Sequence, residues 1–185
     1  MSGETARVFF ALWPGEHERA EFAHAIRKAA RGCGGRPVPE SNLHATLVFL
    51  GSVPMSRLPE LATIATRVAD SDEAQPFELA FERVEYWDKP HVLVATANAS
   101  AGVTAASALS RALLEATRSA GFEPDSKTFR PHITIARKVG KLSRVPPMHP
   151  VRLAFNTFAL IESRTLPEGP VYSVVEAFRI KLFRA

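Results

Sequence analysis

The chain has 185 residues, with 23 Lys and Arg against 19 Asp and Glu, a formal net charge of +4 at pH 7 with histidine neutral. That length, with 46% hydrophobic and 23% charged residues, predicts one domain over 1–185 built as two lobes, and excludes a disordered chain. The single cysteine, Cys33, excludes an intramolecular disulfide or a CxxC pair, and the apolar run Val8 to Trp13 is too short for a signal-peptide core or a membrane span, so a soluble cytoplasmic protein is expected.

Val8 to Leu12 reads as a short buried strand closed by Pro14-Gly15. Glu16 to Arg31 follows as a helix, with Phe22, Ile26 and Ala29/Ala30 at helical spacing and a glycine-rich end at Gly32–Gly35. Leu43 to Leu50 is a second strand, and Ser56 is a candidate cap for a helix bearing Leu58, Leu61, Ala65 and Val68. Phe77 to Tyr86 is a third strand. The pattern then restarts: His91 to Ala97 is strand-like, and Val103, Ala106, Leu109 and Leu113 mark a helix ended by Gly121. Strands are expected at Ile133 to Ala136, Val151 to Ile161 and Val171 to Phe183. The repeated strand–helix–strand order predicts an α+β duplication of two pseudo-symmetric lobes, each with an antiparallel sheet. A single open α/β sheet is the alternative.

The residues that carry chemistry occupy matching places in the two halves. Asn42-Leu43-His44-Ala45-Thr46 opens one strand, and Arg130-Pro131-His132-Ile133-Thr134 opens the other. Residues i and i+2 of a strand share a face, so His44 and Thr46 point one way while Ala45, Leu47 and Phe49 point the other. His132 and Thr134 likewise share a face opposite Ile133 and Ile135. If the lobes face each other, two imidazoles and two hydroxyls converge on one cleft. Near neutral pH one imidazole can take a proton while the other donates one, which in-line displacement at phosphorus requires on opposite sides of the atom. The hydroxyls suit the non-bridging phosphate oxygens. The scheme needs no metal or other cofactor, and neither motif has an adjacent Asp, Glu or Cys. A lone HxT tripeptide is a weak signal; a matched pair after matching elements is a strong one.

These paired motifs resemble those of the 2H phosphoesterase superfamily, and within it the RNA 2′,3′-cyclic phosphodiesterase, or 2′-5′ RNA ligase, family. Val8-Phe9-Phe10-Ala11-Leu12-Trp13-Pro14, Glu40-Ser41-Asn42-Leu43-His44, and Ile161-Glu162-Ser163-Arg164 followed by Tyr172 are similar to that family's segments, so the resemblance spans nearly the whole chain. It implies a bilobal fold with two antiparallel sheets flanking a central cleft and helices outside. It further implies His44 as proton donor to the leaving 3′-oxygen, His132 as proton acceptor from water, and Thr46 and Thr134 as phosphate ligands. The implied product is a 2′-phosphomonoester, and the reverse reaction would form a 2′-5′ linkage. Arg137 matches the family's basic position, although strict alternation turns it to the apolar face. Arg130 falls nominally on the cleft face, with Pro131 disturbing the register. Phe10 matches a position suited to stacking a nucleobase.

His17 and His24 are expected in solvent, His91 at a strand start, His149 in a proline-rich loop, and Cys33 without a nucleophilic role. Arginine's planar fork, dominant among the basic residues, suits phosphate. Expected partners are therefore RNA 3′ ends or nucleoside 2′,3′-cyclic phosphates, with no membrane and a monomeric protein. The competing functions are a cyclic phosphodiesterase for a small nucleotide, of the ADP-ribose 1″,2″-cyclic phosphate type, and a non-catalytic module that grips RNA ends.

Overall fold

In the computed structural model, residues 4–142, 144–167 and 169–181 are described. Strand β1 (Thr5–Leu12) alternates, with Val8, Phe10 and Leu12 fully buried in the main core and Arg7, Phe9 and Ala11 on the other face. Helix α1 (Glu16–Gly32) buries Phe22, Ala25, Ile26, Ala29 and Ala30, a stripe at helical spacing. Glu16 and Glu18 in its first turn and Arg31 in its last complement the helix dipole. A two-residue strand, β2 (Arg36–Pro37), was not expected from the sequence; it precedes β3 (Ala45–Pro54).

Helix α2 (Leu58–Ala69) carries the expected apolar stripe, but Ser56 does not cap it. Ser56 lies in a 3-10 turn at Met55–Arg57, and Arg57 stands at the cap position, with proline in the helix's first turn. Strands β4 (Phe77–Trp87) and β5 (Val92–Ala97) form a hairpin. His91 is not the first residue of β5; it sits in the turn with φ 61°. Helix α3 (Ala101–Ser119) is capped by Ser100, whose Oγ accepts the Val103 N–H at 3.3 Å. Gly102 is required there, because a Cβ would lie 1.8 Å from the Glu78 carbonyl oxygen of β4.

Strand β6 (His132–Arg137) follows, and then β7 (Val151–Phe155) and β8 (Thr157–Leu166). The expected single strand from Val151 to Ile161 is thus two strands, broken at exposed Asn156, whose carbonyl accepts the Ile180 N–H at 2.9 Å. The periodicity changes there: burial alternates through β7, whereas Phe158, Ala159, Leu160 and Ile161 are all buried because both faces of β8 are covered. The last strand, β9, runs Gly169–Arg179, and Phe183 lies outside the described residues.

All pairings are antiparallel, in a four-stranded sheet ordered β3-β1-β8-β9 and a five-stranded sheet ordered β2-β6-β5-β4-β7. This replaces the single open sheet. The two sheets do not coincide with sequence halves: β2 and β4 join the sheet of the second motif, and β8 and β9 return to the sheet of the first. The main core is one apolar cluster drawing on both sheets and all three helices. A smaller cluster of Phe9, Ala11, Ala159 and Ile161, flanked by Trp13, Phe49 and Tyr172, lies on the opposite face of the four-stranded sheet.

Candidate active site

Each HxT strand carries a bulge beyond its threonine. In β3, Ala11 of β1 stands opposite Thr46 and Phe10 opposite Val48, so Leu47 is skipped. In β6, Val94 stands opposite Thr134 and Leu93 opposite Ala136, so Ile135 is skipped. A bulge inserts one residue and resets which side chains face which way. Leu47/Val48 and Ile135/Ala136 are accordingly buried in consecutive pairs, and the next residues, Phe49 and Arg137, return to the face of the histidines. Phe49 therefore does not point with Ala45 and Leu47 as strict alternation had it. Arg137, by the same device, lines the cleft despite the alternation argument against it.

A cavity of about 200 Å³ collects His44 and Thr46 from β3 and His132 and Thr134 from β6. Arg7, Phe9, Phe49, Arg137, Ser163 and Tyr172 complete its lining. The two imidazoles are held identically: His44 Nδ1 is 2.7 Å from the Asn42 carbonyl oxygen, and His132 Nδ1 is 2.7 Å from that of Arg130. A carbonyl only accepts, so Nδ1 carries the proton in both rings, and Nε2 is the nitrogen left for chemistry.

Their surroundings differ. His44 is stacked by Trp13 (5.4 Å between centroids, 21° between planes), tilted against Phe9 at 5.0 Å, and met edge-on by Tyr172 at 5.0 Å. Burial in this aromatic box pushes its pKa down to about 4, with the positive charges of Arg137 and His132 adding to the effect and the Asn42 carbonyl opposing it. His132 packs against Trp87 at 4.5 Å, and burial lowers its pKa too, with help from the Arg130 charge and opposition from the Arg130 carbonyl and Glu85. Glu85 of β4 ties this side together, accepting hydrogen bonds from Thr96 Oγ1 at 3.0 Å, Trp87 Nε1 at 3.1 Å and the Arg130 guanidinium at 2.6 Å.

Two expected site residues fall elsewhere. Phe10 is fully buried in the main core, edge-on to Phe158 and Phe178, and has no face toward the cleft. Its neighbour Phe9 is the β1 aromatic at the cavity. The Arg130 guanidinium is paired with Glu85 over the Trp87 ring and is not among the cavity-lining groups; what Arg130 offers the site is its carbonyl. His17, His24 and His149 are exposed, and Cys33 is buried with its thiol on the Ala30 carbonyl.

Residues 14–163 match the model of the 2′-5′ RNA ligase superfamily. The chain belongs to that superfamily. A Thermus thermophilus relative described as an RNA 2′,3′-cyclic phosphodiesterase is 34% identical over 184 residues, covering 95% of this chain and 90% of its own. The crystal structure of TT0787 of Thermus thermophilus superposes with a TM-score of 0.71 at 35% identity, covering 94% of this chain and 97% of that one. Escherichia coli LigT, solved in complex with 3′-AMP, shares the fold at a TM-score of 0.80 and 24% identity, with coverage of 97% and 100%.

Five cavity residues of this superfamily member escaped the sequence reading as site residues: Arg7, Phe9, Phe49, Ser163 and Tyr172. The period-2 rule applied to β1 would have found two, since Arg7, Phe9 and Ala11 alternate with the buried set. Ser163 and Tyr172 stand opposite each other in the β8–β9 pair, a juxtaposition that only the sheet topology supplies.

Proposed function

We propose that the protein hydrolyses 2′,3′-cyclic phosphate ends of RNA to 2′-phosphomonoesters by two-histidine acid–base catalysis. The observation that carries this reading is the pair of imidazoles with matching Nδ1 anchors, each beside a threonine, on opposing strands of one cavity. Superfamily membership and the described activity of the Thermus thermophilus relative support it.

In this scheme the Thr46 and Thr134 hydroxyls and the Arg137 guanidinium bind the non-bridging phosphate oxygens. His132 Nε2 takes a proton from water as its oxygen attacks phosphorus. The P–O3′ bond breaks, and His44, protonated at Nε2, gives its proton to the departing 3′-oxygen. The 2′-oxygen keeps the phosphate, and one proton has passed from water to the enzyme and one from the enzyme to product. A 5′-hydroxyl in place of water would leave a 2′-5′ linkage instead.

Burial in the cleft disfavours a protonated histidine and pushes the His44 pKa down to about 4. An entering phosphate supplies the negative charge that reverses this, so substrate binding itself arms the acid. Incubation with a nucleoside 2′,3′-cyclic phosphate, followed by phosphorus NMR of the product, tests the reading. A 2′-monophosphate is expected; a 3′-monophosphate, or no turnover with binding retained, overturns it.

A further inference from the structure

We infer that the groove beside the cleft is a subsite for the phosphodiester and nucleotide on the 5′ side of the terminal cyclic phosphate, making the enzyme prefer RNA chains to mononucleotides. The inference rests on the phosphodiesterase reading above. At about 200 Å³ the cleft is smaller than the ~300–1,000 Å³ usual for a small-ligand site, so it holds the cyclic phosphate and little more. A groove of about 510 Å³ adjoins the cleft and shares Arg137 and Tyr172 with it. A chain leaving the cleft past those two residues would enter the groove.

The groove's charge is uncompensated. Arg36 of β2 stands directly opposite Arg137 of β6, and Lys138 follows at once. Like charges facing each other across an antiparallel pair are destabilising. The fold nevertheless enforces the approach: a Cβ on Gly35 would lie 2.7 Å from the Arg137 carbonyl oxygen, so only glycine lets β2 close on β6 here. Among the described residues none of the three cations forms an ion pair, and Arg137 is satisfied only by a 3.4 Å hydrogen bond to the Tyr172 hydroxyl. Arg57, Arg130, Arg152 and Arg164, by contrast, each pair with a glutamate. A phosphodiester bound beside Arg36 and Lys138 would offset the repulsion between Arg36 and Arg137.

The remaining walls suit the attached nucleoside. Pro37, Val38, Pro170 and Val171 also line the groove, and Val171 is 45% exposed, an apolar surface against which a base would lose its contact with water. The wall is tied to the catalytic machinery, because Asn42 donates from Nδ2 to the Pro170 carbonyl at 2.8 Å while its own carbonyl holds His44.

The test compares a mononucleoside 2′,3′-cyclic phosphate with a trinucleotide ending in the same group, using wild type, Arg36→Ala and Lys138→Asn. Wild type should process the trinucleotide with kcat/KM about tenfold higher or more, chiefly through KM, the worth of one charge-assisted contact. Each variant should lose most of that advantage and keep mononucleotide hydrolysis within about twofold, which also certifies folding. Affinity for a labelled trinucleotide 2′-phosphate, read by fluorescence anisotropy, should fall in parallel. Equal wild-type kcat/KM on the two substrates, or variants that keep the advantage and the affinity, overturns the subsite while leaving the phosphodiesterase reading intact. Absent turnover on both substrates overturns that reading; the subsite then stands or falls on whether the variants weaken trinucleotide binding.

Discussion

On the proposed scheme, replacing His44 or His132 by alanine deletes one proton transfer from a displacement that needs two, and the loss should be about 10²–10⁴-fold in turnover. The double variant should fall well short of the product of the single effects, because both residues serve one step. Thr46→Ala and Thr134→Ala each remove a hydrogen bond to a charged oxygen, about 1.5–3 kcal/mol, and should weaken product binding as well as rate. Steady-state kinetics with product affinity measured in parallel separates the two classes: histidine variants that bind the 2′-phosphate nearly as wild type but turn nothing over place the histidines in chemistry. The pH profile follows from the same residues. Burial lowers both histidine pKa values in the free enzyme, His44 to about 4, below the ordinary 6.5. The active form has one ring protonated and the other neutral, so kcat/KM, which reports free enzyme, should be bell-shaped with limbs displaced toward acid. Bound phosphate raises both values, so the kcat bell should sit at higher pH than the kcat/KM bell. Coincident bells, or a flat profile from pH 5 to 9, would count against the buried pair.

The scale of single elements is where periodicity succeeded and then failed. The sequence showed β1 only as a short buried strand, and its two faces do different work: Phe10 fills the core against Phe158 and Phe178, and Phe9 lines the cleft against His44. Phe10→Ala should cost about 3–5 kcal/mol of stability, as a large side chain leaving a core, and act on activity only through unfolding. Phe9→Ala should leave the melting temperature nearer wild type and lower kcat/KM. Thermal melts beside kinetics at a temperature where both variants are folded check this, and the reversed pattern would restore Phe10 to the site. Bulges were not legible, since nothing in Thr46-Leu47-Val48-Phe49 or Thr134-Ile135-Ala136-Arg137 marks the skipped residue. A strand of uniformly apolar residues reads the same with or without a register shift. The histidines and threonines precede the bulges, so their shared face was readable; Phe49 and Arg137 follow them, so theirs was not.

At the scale of the whole molecule, the two antiparallel sheets were readable from repeated strand–helix–strand order, and the crossing of β8 and β9 back to the first sheet was not. Return strands pair by long-range contacts that leave no local periodic trace. That crossing brings Ser163 and Tyr172 to the cleft and closes the aromatic box around His44, so assembly of the site depends on both sheets packing over one core.

The assembled site makes one further demand on the chemistry. Each imidazole offers only Nε2 to the cavity, because a backbone carbonyl holds Nδ1. In the proposed scheme the charge that develops on phosphate is met by Thr46, Thr134 and Arg137, all of which line the same cavity. Both proton transfers and the charge stabilisation therefore have protein groups assigned to them, and hydrolysis of a nucleoside 2′,3′-cyclic phosphate should proceed at an unchanged rate in excess EDTA. Adding back Mg²⁺ or Mn²⁺ should raise the rate by less than about twofold, since a metal would have no vacant task among those that general acid–base and electrostatic catalysis supply. Zn²⁺ should instead inhibit, by binding the free Nε2 lone pairs that catalysis needs. Initial rates across a chelator and metal series decide the matter: activity abolished by EDTA and restored by one divalent ion would show that the histidines serve as ligands, and the acid–base scheme would have to be abandoned.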